Sequence, residues 1–168
     1  MEKKKTTAKT EEKVKPSSAS GKLIAVIRID GEVKVKPEIR ITLDNLRLRR
    51  KYSCVIINPS NKSHMGMIDK VKYQVAFGEI EKETLVKLIE ARAEIIKDST
   101  HDKKNEKKID AEMIASSLIG GKKLIELGIK PFFRLHPPRK GIKSKLNYPK
   151  GVLGNNKKDI NKLIERML

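Results

Sequence analysis

A single cysteine, Cys54, stands in a chain of 168 residues. It can form no internal disulfide, and without a Cys-x-x-Cys pair a structural zinc site is excluded on ligands alone. No apolar run approaches the ~20 residues that a bilayer-spanning helix needs. The N-terminus is rich in Lys, Thr and Glu and lacks the apolar stretch of a secretory signal. A reducing, cytosolic setting fits these absences. Acidic residues are the other shortage, 21 against 39 Lys and Arg, which leaves a formal net charge of +18. Hyperthermophile proteins enrich Lys and Glu together, raising both signs, whereas here only one is raised. Such a surplus implies a polyanionic partner, nucleic acid before membrane.

Catalytic chemistry is also missing. Gly120-Gly121-Lys122-Lys123 superficially resembles a phosphate loop, but a real one requires Gly at 116 and Ser or Thr at 123, where this chain has Ser116 and Lys123. His64, His101 and His136 are scattered along the chain. Cys54 lies in an apolar run and reads as strand core rather than nucleophile. The carboxylates mostly sit beside lysines on helical segments and read as solvated surface. No enzymatic activity, cofactor, metal ion or small-molecule substrate is expected.

Residues 1–20 are polar, mixed in charge and nearly free of large apolar side chains, a composition that predicts disorder. From Lys22 to Asp30, KLIAVIRID is apolar on both faces, as a central strand is. Pro37 opens a helix whose Ile39, Leu43 and Leu46 share a core face. That helix is expected to end in a basic cluster, Leu46-Arg47-Leu48-Arg49-Arg50-Lys51. One or two cations would serve the helix dipole; the surplus favours phosphate contact. Ser53–Ile57 is a second strand, stopped by Asn58-Pro59. A second helix starts near Asn61-Lys62-Ser63 and turns Met67, Ile68, Val71 and Val75 inward, with Lys70 and Lys72 outward. Gly66 weakens its first turn, which makes sense where another backbone approaches. Val75-Ala76-Phe77 is a third strand, ended by Gly78-Glu79.

The order β-α-β-α-β suits an α+β two-layer sandwich with helices on one side of a small sheet. A helical extension follows over 81–129. Leu85, Leu88, Ile89, Arg92 and Ile96 share one helix, and a charged loop spans 97–108. Asp110 is a candidate N-cap, Gly120-Gly121 a break and Gly128 a left-handed cap. Residues 159–168 form a final amphipathic helix through Ile160, Leu163, Ile164 and Met167.

Between these last helices runs the basic stretch Lys130–Lys158, KPFFRLHPPRKGIKSKLNYPKGVLGNNKK, with no Asp or Glu in it. Pro137-Pro138 keeps it out of helix and central strand. Arg134, Arg139, Lys140, Lys143 and Lys145 on a tethered arm can reach phosphates spaced along a polyanion. His136 reads as a hydrogen-bonding group for RNA or backbone.

Taken in order, VIRIDG, IRITLDNLRLRRKYSC, VIINP, MGMIDKV, VAFGEI and RLHPPRKG, followed by an amphipathic helix, resemble the large-subunit ribosomal protein L-thirty family. The resemblance covers 21–168 and is nearest the archaeal pattern of the archaeal and eukaryotic branch. It implies a ferredoxin-like β-α-β-α-β core with an antiparallel sheet, first strand central, to which that branch adds helices and a C-terminal arm. It implies a single non-enzymatic domain in the cytoplasmic large ribosomal subunit, packed on 23S-type rRNA near 5S rRNA and beside other ribosomal proteins. Carried over by position, the RNA-facing residues are Arg47, Arg49, Arg50 and Lys51, the start of the second helix from Ser63 and His64 to Gly66, and Arg134, His136, Arg139 and Lys140 of the arm; Lys62, Lys70, Lys143 and Lys145 are further candidate contacts read from the chain itself. One departure is Met65, where the family often carries Arg before Gly-Met; Lys62 or His64 would substitute there. The rival readings are a non-ribosomal RNA-binding protein or RNA chaperone, and a small enzyme on the same sandwich.

Overall fold

The computed structural model describes residues 22–96 and 110–168; the expected disordered tail and the charged loop over 97–108, with His101, lie outside them. Five strands form one open sheet. In chain order they are β1 (Ile24–Arg28), β2 (Ser53–Ile57), β3 (Val75–Glu79), β4 (Phe133–Arg134) and β5 (Gly154–Asn155). Their spatial order is β4-β2-β1-β3-β5, with β1 central as its two apolar faces require. All pairings are antiparallel except β5 on β3, so the expected antiparallel sheet gains one parallel edge.

Side chains of β1 alternate between two cores. Val26 joins Leu43, Leu46, Leu48, Val55, Ile57, Ile68, Val71 and Val75 under α1 (Pro37–Asn45) and α2 (Lys62–Val71). Ala25 and Ile27 face a second cluster under α3 (Lys82–Arg92), α4 (Ala111–Ile119) and α5 (Ile160–Glu165). The β-α-β-α-β unit is thus the expected two-layer sandwich, and the helical extension covers the face that this unit leaves open. Covering both faces of the central strand accounts for β1 reading as a continuous apolar run.

Several local expectations change. Gly78 does not end β3 but lies within it, because a Cβ there would run into the carbonyl of Lys157 and stand 3.1 Å from Ile160 Cβ. Its missing side chain lets α5 and the turn before it close on the sheet. The third helix stops at Arg92; Ile95 bridges to Ile129 and the Ile96 N–H donates to the Gly128 carbonyl. Asp110 holds the N-cap position of α4 without a side-chain capping bond. Gly128 is left-handed (φ 72°) as expected, but it caps a single 3₁₀ turn, Leu124–Leu127. No backbone of the described residues approaches Gly66, around which a Cβ would meet open space.

Candidate nucleic-acid interface

The first helix ends at Asn45, before the basic cluster, and its last turn carries no cation. The cluster expected as the end of the helix thus lies beyond its last turn. Arg47, Arg49, Arg50 and Lys51 belong instead to the loop that leads into β2. In this loop Leu46 and Leu48 are buried while the four cations stay exposed. Left-handed backbone at Arg47 (φ 61°) and Tyr52 (φ 64°) produces the alternation. Residues without Gly's freedom adopt such angles at a cost, so the surrounding contacts must hold them there.

Arg28 supplies that hold. It is 1% exposed at the end of β1, in a segment otherwise apolar. Its guanidinium donates to the carbonyls of Leu48 (2.8 Å), Arg49 (2.6 Å), Asp30 (3.0 Å) and Gly31 (2.9 Å). Burial lowers its pKa from the ordinary value, opposed by the charges of Glu32, Asp44 and Asp30. A fork of donors satisfied by carbonyls is a role that only Arg can fill. The sequence signal was a lone cation inside an apolar run, and reading that run as uniformly apolar missed it.

Sheet register brings the arm to the same end. Ser53 pairs with Arg134 and Cys54 with Phe133, while the Leu135 N–H donates to the Tyr52 carbonyl and the Tyr52 N–H to that of Arg28. Arg47, Arg49, Arg50 and Arg134 therefore line one groove of about 540 Å³, together with Phe132 and Asp44. The Arg134 guanidinium lies 5.7 Å from the centre of the Phe132 ring, and Lys51 lies 4.8 Å from that of Tyr52. Among the described residues, Arg49 is the one groove arginine within 4.0 Å of a carboxylate, that of Asp44. Phe132 and Asp44 were not expected as interface residues; the Phe-Phe pair ahead of Arg134 was the available sign of the former.

The arm is not a free tether. It leaves β4 at one edge of the sheet and returns as β5 at the other. Phe133, Leu135, Pro138 and Leu153 are buried beneath it. The amides of His136 and Arg139 donate to the carbonyls of Met167 and Arg166, both at 2.9 Å. The Arg166 guanidinium answers with bonds to the carbonyls of Arg139 and Gly141, both 2.8 Å. A turn over Pro138–Gly141 places Lys140 in left-handed backbone (φ 66°), with Arg139 and Lys140 both exposed. Lys143 is exposed as well; Lys145 is exposed but pairs with Asp30 at 3.1 Å. The His136 main-chain amide is taken up in docking the arm, while its imidazole makes no hydrogen bond among the described residues.

The second-helix set is split. Lys62, Ser63 and half-buried His64 open α2 just beyond the end of β2, where Ile57 pairs with Ile24, at the far end of the sheet from the groove. Lys70 lies near the other end of α2, 3.9 Å from Glu38. The structure thus joins the first-helix cluster to the start of the arm and leaves Lys62, Ser63 and His64 apart. Cys54 is wholly buried, and burial pushes its thiol up to about 12, away from nucleophilic use at neutral pH. No described helix is long and apolar enough to cross a membrane.

Comparison with known proteins gives the same direction. The family model described as Ribosomal protein L30p/L7e matches residues 24–75, β1 to the start of β3. Large ribosomal subunit protein uL30 of Archaeoglobus fulgidus is 41% identical over 152 residues, covering 86% of this chain and 99% of its own length. Its counterpart in Desulfurococcus amylolyticus is 40% identical, with 88% and 99% covered, and that of Ignicoccus hospitalis is 39% identical, with 89% and 99% covered. Identity at this level over nearly the whole of each relative includes the helical extension and the arm as well as the core. The chain belongs to the L30p/L7e family of ribosomal proteins, a structural and non-enzymatic family.

Proposed function

We propose that this chain is a structural constituent of the cytoplasmic large ribosomal subunit that binds and stabilises 23S-type rRNA, close to 5S rRNA and to neighbouring ribosomal proteins. One observation carries the RNA-binding part of the reading: Arg47, Arg49, Arg50 and Arg134, from segments some eighty residues apart, converge on one groove. Four arginines against the single carboxylate of Asp44 leave a net positive groove whose like charges repel, and a polyanion relieves that repulsion while releasing its counterions. Lys51, Arg139, Lys140 and Lys143 extend the cationic surface from the groove along the arm, with Lys145 exchanging Asp30 for phosphate. Lys62, Ser63, His64 and Lys70 form a separate contact along α2, and His136 offers its imidazole to a sugar or phosphate. Residues 21–168 act as one RNA-binding domain that holds these cations at fixed separation where rRNA helices converge.

Filter binding of the full chain to a large-subunit rRNA tests the surface. With ~6–10 phosphates neutralised, affinity falls by ~10³- to 10⁵-fold between 50 and 200 mM salt. Arg139→Ala with Lys140→Ala should reduce the logarithmic salt slope by about 2, one per phosphate, with an unchanged melting temperature. An unchanged slope would remove the turn of the arm from the contact surface.

A further inference from the structure

A groove built only to neutralise phosphates would hold cations alone. This one also holds a carboxylate, Asp44, and an aromatic ring, Phe132. Asp44 is partly exposed, with its Oδ1 only 4.0 Å from Arg49 Nε, so it is not fully spent on a close ion pair. A carboxylate repels phosphate but accepts N–H donors of a base. Phe132 packs half-buried against the core and the Arg134 guanidinium lies over its ring, giving the kind of cation-backed surface on which unpaired bases stack. The volume, about 540 Å³, falls within the range of sites that enclose a small organic ligand.

Resting on the rRNA-binding reading, we propose that this groove receives one unpaired guanine nucleotide of the bound RNA. Its base stacks on the Phe132–Arg134 surface, its Watson–Crick edge meets Asp44, and its flanking phosphates lie on Arg47 and Arg50. Guanine is the base that fits, because N1–H and the N2 amino group are adjacent donors matching the two carboxylate oxygens. Adenine and cytosine offer one amino group beside an acceptor nitrogen, and uracil offers one N–H between two carbonyls. The groove would then read one base, within an interface that otherwise reads backbone.

Short-wavelength ultraviolet crosslinking of large subunits carrying the full-length tagged chain tests this, because zero-length adducts form with stacked bases and not with phosphates. Nuclease digestion and mass spectrometry should find guanosine attached at Phe132. Phe132→Leu, which keeps an apolar side chain but offers no ring for a base to stack on, should abolish that adduct. A different base at Phe132, or adducts elsewhere on the chain and none at Phe132, would overturn the guanine site and leave rRNA binding standing. A chain absent from the subunit would overturn both.

Discussion

Arg28 is the residue on which the interface depends without being part of it. Its four carbonyl partners hold the loop in which Leu46 and Leu48 point in and the arginines point out. Lys at this position keeps the charge but has one nitrogen for four acceptors, and leaves buried carbonyls unsatisfied. Arg28→Lys should therefore cost on the order of 2–3 kcal/mol in urea denaturation. Loss below about 0.5 kcal/mol would mean that the loop is held by its leucines alone. Cys54 makes a prediction about pH. The folded chain keeps the thiol proton up to about 12 because the site is fully buried, whereas an exposed thiol loses it near ~8.5. Raising pH through that window favours the unfolded state. Stability should fall more steeply between pH 8 and 10 in the native chain than in Cys54→Ala, and equal slopes would show the thiol to be solvent-accessible.

Elements were legible where burial alone decides them. The strands β1 and β2, the start of helix α1 at Pro37 and the inward face of α2 follow from apolar spacing, and each stands where that spacing puts it. What failed depended on contacts between distant segments. Gly78 looks like a terminator until α5 is packed against it, and Ile96 continues a helical pattern until its amide is claimed by Gly128. The first-helix cations read as a helix end because the periodicity of Leu43 and Leu46 gives no sign of the left-handed turn at Arg47. The groove was half legible: its arginines were singled out, but only pairing of β4 with β2 brings Arg134 to them. The arm's docking belongs at this scale too. Arg166→Lys retains a cation but loses the fork over Arg139 and Gly141. A lysine ammonium reaches one of the two carbonyls, so about 1 kcal/mol is lost and amide exchange across 139–141 should quicken about fivefold. Unchanged exchange would assign the arm's order to Phe133, Leu135 and Pro138.

As a whole molecule, the chain divides its labour by position in the fold. One end of the sheet carries the groove and the crossing arm, the opposite end carries the start of α2, and the layer of α3, α4 and α5 fills the remaining face. Burying β1 on both faces ties the loop before β2 and the arm to one packed core, which under the proposed function holds the cations of two remote segments at a fixed separation. Preorganisation of this kind lowers the ordering cost that a floppy basic tail would meet on binding. The proposal that the platform is a fixed part of the large subunit is tested most directly by sedimentation of a tagged full-length copy in cell lysate, followed through a salt wash. The account predicts stoichiometric migration with the large subunit that survives moderate salt. Migration near the top of the gradient, or release at low salt, would contradict it and make the chain an RNA binder outside the ribosome.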